Sequence, residues 1–129
     1  APYSNREEVA CHTTIGDFGA GSGHYCKLFN QSGEFCCFSF DGSVHADTMS
    51  GGIVEVVRLS QPLELGRRFD WILCLDVLAH ISGKNQEVFL ENLRLHAESG
   101  VVLSWPDGGD NDHGRSALQN AKPWGEARA

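Results

Sequence analysis

The sequence has little positive charge and no long hydrophobic run. Lys and Arg number 10 against 17 Asp and Glu, so the formal net charge is −7. An acidic balance disfavours non-specific binding to the backbone of a nucleic acid. No apolar stretch approaches the roughly 20 residues that a membrane-spanning helix needs. We therefore expect neither a nucleic-acid partner nor a membrane partner; the sequence does not indicate an oligomeric state.

Paired cysteine motifs are also missing. The 5 cysteines are an odd number, and no two of them are spaced as Cys-x-x-Cys. Free cysteine behaves as a small buried hydrophobic residue, which suits the apolar runs that contain several of them. The sequence thus predicts neither a disulfide framework nor a zinc site, and we expect no bound metal. A reducing, cytoplasmic location follows from this expectation.

The pattern that is present is an alternation of strands and helices over a single domain. The chain has 129 residues, of which 41% are hydrophobic. Apolar runs predict strands at 13–18, 35–40, 53–57, 69–75 and 101–105. The longest predicted helix has Phe89, Leu90, Leu93 and Ala97 on one face and ends at Gly100. This alternation predicts an α/β fold, Rossmann-like and doubly wound, with a mostly parallel sheet.

The most informative segment is a glycine loop, Asp17-Phe18-Gly19-Ala20-Gly21-Ser22-Gly23, between the first strand and a helix. Glycines allow positive φ and close approach of a ligand, and the helix N-terminus adds partial positive charge. The spacing is GxGxG, and His24 stands where a dinucleotide fingerprint has its third glycine. Asp41 ends the second strand, where an acid accepts hydrogen bonds from ribose hydroxyls. A tight turn that binds nothing is the alternative.

The segments DFGAGSG, FSFDGS and FDWILCLDVLAHI resemble motifs I, post-I and IV of class I S-adenosylmethionine-dependent methyltransferases. The resemblance runs from about Ile15 to His113. It implies a strand order of 3-2-1-4-5, with the ligand crevice between strands one and four. It also implies that S-adenosylmethionine is the cofactor and that its methyl group passes to an unidentified acceptor, a small molecule or a protein.

The resemblance further implies a cofactor site built from several segments. The glycine loop would surround the methionine part of the cofactor, the acid after strand two would hold the ribose, and the residues after strand four would line the sulfonium and the substrate entrance. The residues concerned are Asp17, Gly19, Ala20, Gly21, Gly23, Asp41, Gly42, Leu59, Leu75, Asp76 and Val77.

Two features depart from the family. Arg58-Leu59-Ser60 follows strand three, where the family often has an acid that contacts the adenine. A complete class I domain also has two antiparallel strands after the fifth, and the residues after Trp105 lack strand character. We therefore predict that the C-terminal antiparallel strands are missing or truncated, with the domain over 13–114, an N-terminal extension over 1–12 and a weakly structured tail over 115–129.

Those departures keep two other functions open. A non-catalytic module that binds S-adenosylmethionine or a nucleotide would fit the missing strands. A nicotinamide-dependent oxidoreductase is the second alternative, which the GxGxG spacing disfavours.

Two histidines are candidates for a catalytic base. His80 lies four residues after Asp76, so helical spacing puts both on one face. It either faces the substrate cleft or packs at the start of the following helix. His113 lies in a Gly- and Asp-rich loop after strand five, at the carboxyl end of the sheet, where α/β folds place their sites. A solvated loop is the alternative for His113.

Overall fold

Residues 11–104 are described by the structure, a computed structural model. Within them the strands form one sheet of five, and every pair of neighbouring strands is parallel. The elements are β1 (Thr13–Phe18), α1 (His24–Gln31), β2 (Phe35–Asp41), α2 (Ala46–Ser50), β3 (Val54–Val56), β4 (Phe69–Leu75), a 3₁₀ turn (Leu78–His80), α3 (Gly83–His96) and β5 (Ala97–Ser104). The strand order is 3-2-1-4-5. The predicted α/β class and strand order are confirmed.

Apolar clusters pack on both faces of the sheet. On one face, α3 contributes Phe89 and Leu93 to the larger cluster. At its centre the ring of Phe18 meets those of Phe40 and Phe69, with centroids 5.3 and 6.3 Å away. On the opposite face, α1 packs a smaller cluster against β1 and β2. Burial on both faces explains why β2 reads as a nearly continuous apolar run.

The strand order fixes where a ligand can bind. In a parallel sheet all strands end at the same edge, and the order reverses between β1 and β4. The chain leaves these two neighbouring strands in opposite directions, so the loops that follow them diverge and leave a crevice. The loops after β1, β2 and β4 therefore meet at one edge of the sheet.

The longest helix ends earlier than predicted. α3 ends at His96, and Ala97 begins β5 without an intervening loop. Gly100 therefore lies within a strand, where it pairs with Trp71. A Cβ at Gly100 would lie 2.8 Å from the Trp71 ring. Trp71 is 44% exposed and covers the backbone of the neighbouring strand at Gly100.

The structure contradicts the expectation of free cysteines. Cys11 is bonded to Cys36 and Cys26 to Cys37, with Cα separations of 5.6 and 4.8 Å. Cys36 and Cys37 point to opposite faces of β2, so each face carries one bridge. Cys74 is free and buried. Disulfides persist mainly in oxidising compartments, so the two bridges remove the basis on which a cytoplasmic location was predicted.

Some predictions lie outside the described residues. These are the end of the predicted fifth strand at Trp105, the candidate base His113, the missing C-terminal strands, the domain limit at 114 and the tail over 115–129. Residues 1–10 of the predicted N-terminal extension also lie outside. No helix within residues 11–104 is long and apolar enough to cross a membrane.

We expect the denatured protein to expose one titratable thiol before reduction and five after it, because Cys74 alone is unpaired. Thiol titration in denaturant measures both numbers. Reduction should lower the free energy of unfolding by about 2–4 kcal/mol per bridge. The variant Cys74→Ala is the control, since it removes the free thiol and should keep the reduction-dependent loss. Five reactive thiols in the unreduced protein would contradict the pairing.

Candidate functional site

A cavity of about 390 Å³ opens at the carboxyl edge of the sheet, where the strand order reverses. Its volume is typical of small-molecule sites. It brings together most of the residues that the sequence analysis singled out: Gly19, Asp41, Gly42, Leu59, Leu75, Asp76, Val77 and His80. Asp17, Ala20, Gly21 and Gly23 were singled out as well, and they lie outside its lining.

The glycine loop is fixed to the end of β2 by three hydrogen bonds. The N–H groups of Gly19 and Ala20 both donate to the carbonyl of Phe40, at 2.8 and 2.9 Å. The N–H of Gly21 donates to Oδ2 of Asp41 at 2.8 Å. The two sequence features that pointed to a nucleoside site are thus joined directly, and the carboxylate is held at the cavity's edge.

The three glycines of the loop serve different purposes. Each has a positive φ, of 89° at Gly19, 59° at Gly21 and 81° at Gly23. At Gly19 a Cβ would overlap Cγ2 of Val77, so this glycine lets the loops after β1 and β4 touch. At Gly23 a Cβ would lie 3.0 Å from Val54, so this glycine packs toward β3. At Gly21 the space around a Cβ is open, and only the backbone conformation favours glycine.

Asp17 lies behind the glycine loop and is 1% exposed. Its Oδ2 atom is buried without a hydrogen-bond partner among residues 11–104. Burial, and to a lesser degree the charge of Asp41, raises the pKa of Asp17 from 3.8 to about 7. Burial and the charge of Asp17 likewise raise the pKa of Cys74 to about 12, so this thiol is protonated at neutral pH. The unpartnered oxygen of a buried carboxyl can accept a hydrogen bond from a ligand, and its ionised form can pair with a cationic group of a ligand.

The loop after β4 contributes a strained acidic residue. Asp76 has a φ of 58°, and no other non-glycine residue of the described chain has a positive φ. Its N–H donates to the carbonyl of Ser104 at 3.0 Å, which ties the loop to the end of β5. Backbone strain of this kind clusters at functional sites. His80 follows on the 3₁₀ turn, exposed at the same cavity.

Three lining residues were given no role from the sequence: Arg58, Ser60 and Ile81. Arg58 and Ser60 belong to the loop that joins β3 to β4, which has no periodic pattern and so no sequence signal for its position. The charged residues of the lining are the carboxylates of Asp41 and Asp76 and the guanidinium of Arg58. No group of three or more potential metal ligands occurs within residues 11–104.

Comparison with known proteins identifies the fold. No protein-family model and no curated protein sequence matches the chain. A TehB-like S-adenosylmethionine-dependent methyltransferase from Corynebacterium glutamicum superposes with a TM-score of 0.65 at 21% identity, over 88% of this chain and 69% of that one. The glycopeptide N-methyltransferase MtfA, complexed with S-adenosylmethionine, gives 0.62 at 14% identity, over 80% of this chain.

A Clostridium acetobutylicum S-adenosylmethionine-dependent methyltransferase gives a TM-score of 0.60 at 16% identity, over 76% of this chain. The chain spans about half the length of MtfA and of the Clostridium protein, 48% and 44%. At these identities the likeness shows the fold.

Gly19→Ala is expected to destabilise the protein more than Gly21→Ala. Both place a side chain at positive φ, which costs about 1 kcal/mol, but only at Gly19 would the Cβ also overlap Val77. Urea unfolding measures the difference. The double variant Gly19→Ala/Val77→Ala should recover part of the loss, and equal losses for the two single variants would contradict this account of the loop.

The raised pKa of Asp17 predicts a pH-dependent stability. Between pH 3.8 and about 7 the folded chain keeps a proton on Asp17 that the unfolded chain has released. The stabilisation from this proton is complete below pH 3.8 and is lost as the pH rises through about 7. Relative to Asp17→Asn, the wild type should therefore lose about 1 kcal/mol of unfolding free energy per pH unit in that window.

Urea unfolding at a series of pH values provides the measurement. Asp47→Asn, at an exposed position on α2, is the control and should follow the wild type. If the curves for the wild type and Asp17→Asn run parallel between pH 4 and 7, the pKa of Asp17 is not raised.

Proposed function

We propose that this chain binds S-adenosylmethionine in the cavity at the carboxyl edge of the sheet and transfers its methyl group to a small-molecule or protein acceptor. The observation that carries the proposal is the convergence of the glycine loop, the end of β2 and the loop after β4 on one cavity. Support also comes from the shared fold, because MtfA structures hold S-adenosylmethionine, sinefungin and S-adenosylhomocysteine.

The charges around the cavity suit a cationic nucleoside. Asp41 and Asp76 line it, and the buried carboxyl of Asp17, with its unpartnered oxygen, lies behind the loop. A sulfonium ion is attracted by the carboxylates of Asp41 and Asp76, whereas the pyrophosphate of a nicotinamide dinucleotide would be repelled. Asp17, whose pKa is raised to about 7, adds only a partial charge at neutral pH. Arg58 offsets this charge only in part. The charge pattern therefore favours a sulfonium nucleoside over the nicotinamide alternative.

Asp41 is held in position before a ligand arrives. Its Oδ2 accepts from Gly21 N–H and its Oδ1 from Ser43 N–H, each at 2.8 Å. Each carboxylate oxygen has a further lone pair, so the ribose hydroxyls would still find acceptors there. A fixed acceptor loses little side-chain entropy on binding. Leu59, which also lines the cavity, would pack against the base.

The cofactor, when bound, supplies a methyl group that is already activated on sulfur. The residues of the chain then have to bind the cofactor and align the acceptor with it. His80 is exposed at the cavity and would take the proton of an acceptor that still carries one. Asp76, held by the end of β5, would orient the groups that enter beside it.

Two measurements test the proposal. Saturating S-adenosylmethionine should raise the melting temperature of the wild type, since a ligand that binds only the folded state stabilises it. Mass spectrometry should then detect methylated products when the chain is incubated with the cofactor and pools of metabolites or proteins. Binding without turnover would favour the non-catalytic module. The absence of any thermal shift would contradict the proposal.

Asp41→Ala is expected to weaken S-adenosylmethionine binding by about 10- to 100-fold, since hydrogen bonds to a charged group contribute about 1.5–3 kcal/mol. Isothermal titration calorimetry measures the change. Glu55→Ala is the matched control, because it removes an exposed carboxylate from the neighbouring strand β3, outside the cavity lining. Unchanged affinity in Asp41→Ala would remove Asp41 from the ribose site.

A further inference from the structure

One wall of the cavity comes from a segment without regular structure. The β3–β4 loop, residues 57–68, contains neither helix nor strand until Phe69 begins β4. Its residues Arg58, Leu59 and Ser60 line the cavity. A loop of this kind has no ladder to satisfy its backbone groups, so its position depends on other partners.

A single buried side chain of α3 supplies several of those partners. Asn92 is 2% exposed. Its Nδ2 donates to the carbonyls of Leu59 and Gln61, at 2.9 and 2.7 Å. Its Oδ1 accepts from the N–H of Leu63 at 2.9 Å. Both N–H groups and the carbonyl oxygen of the Asn92 amide are therefore hydrogen-bonded to backbone groups of the loop.

His96, one turn further along α3, continues this pattern. Its Nε2 accepts from the N–H of Leu65 at 3.2 Å, and its Nδ1 lies 2.7 Å from the carbonyl of Asn92. These contacts require the proton on Nδ1 and a neutral ring. Together, Asn92 and His96 hydrogen-bond the backbone of every second loop residue from 59 to 65.

A polar residue at position 92 is not what packing alone would select. Its neighbour Leu93 is fully buried in the larger apolar cluster, and burying an amide costs free energy unless every group is bonded. Asn92 meets that requirement entirely through the loop, and the first of its partners, Leu59, belongs to the cavity wall.

We propose that Asn92 is a positioning residue, which sets the affinity of the cavity for its nucleoside by holding the backbone of residues 59–63. The inference rests on the proposed function for the identity of the ligand, and it adds a residue that does not itself line the cavity. His96 holds the same loop at Leu65, which lies further along the chain from the residues that line the cavity. We therefore expect His96 to contribute less than Asn92 to the affinity.

The test compares Asn92→Leu with Leu93→Ala. The first removes all three bonds to the loop, and the second creates a cavity in the core of the same helix without removing any of them. Calorimetry with S-adenosylhomocysteine, at a temperature where both variants are folded, should show a loss of affinity of about tenfold or more in Asn92→Leu. Leu93→Ala should bind as the wild type does.

Hydrogen exchange of residues 57–68, without ligand, is the second measurement. Asn92→Leu should exchange faster in this loop than the wild type, and Leu93→Ala should not. If Asn92→Leu fails to fold, His96→Phe replaces it, because a phenyl ring keeps the packing against Phe18 and leaves the three bonds of the Asn92 amide in place. It loses the bond to Leu65 and the contact of Nδ1 with the Asn92 carbonyl. This variant should show faster exchange at Leu65 and a smaller loss of affinity.

Wild-type affinity in a folded Asn92→Leu, or an equal loss of affinity in Leu93→Ala, would overturn the proposal. A wild type that binds no S-adenosylhomocysteine would instead refute the proposed function. In that case hydrogen exchange alone tests whether Asn92 holds the backbone of the β3–β4 loop. Unchanged exchange of this loop in Asn92→Leu would overturn that claim.

Discussion

The contact between the glycine loop and the carboxyl end of β2 organises this end of the molecule. Two N–H groups of the loop share the carbonyl of Phe40, and a third donates to the carboxylate of Asp41. The loop therefore cannot move without breaking backbone bonds at the sheet edge. Because Gly19 also touches Val77, the same contact brings the loop after β4 into position. The cavity is a consequence of this arrangement.

Strand β2 connects several parts of the structure through covalent and hydrogen bonds. It bears Asp41 at its end and a disulfide on each face, one to Cys11 and one to Cys26 of α1. Asn30 of α1 also bonds both the N–H and the carbonyl of Cys37. These links attach the helix that follows the glycine loop to the strand that supports the loop, so the helix, the loop and the strand are held together beside the cavity.

Helix α3 plays the corresponding role on the other face. Its apolar residues build the core, whereas three of its buried polar residues bond backbone groups of the surrounding loops. Gln86 donates to the carbonyl of Ile81, at the mouth of the cavity, and Asn92 and His96 hold the β3–β4 loop. Burying a polar group costs free energy unless the group is hydrogen-bonded, so these bonds stabilise the helix and the loops together.

The amino-acid sequence by itself determined the strands, the α/β class and the two features that mark the site. Short apolar runs identify β1, β2 and β4 because apolar side chains of each strand pack into the two clusters, and the glycine loop and Asp41 are local signals at the strand ends. The tertiary structure decided what depends on distant partners. α3 ends at His96 because the next residues pair with β4, and the cysteines find partners 25 and 11 positions away. Asn92 and the β3–β4 loop meet only in the folded chain, where a buried amide must bond to whatever backbone lies against it.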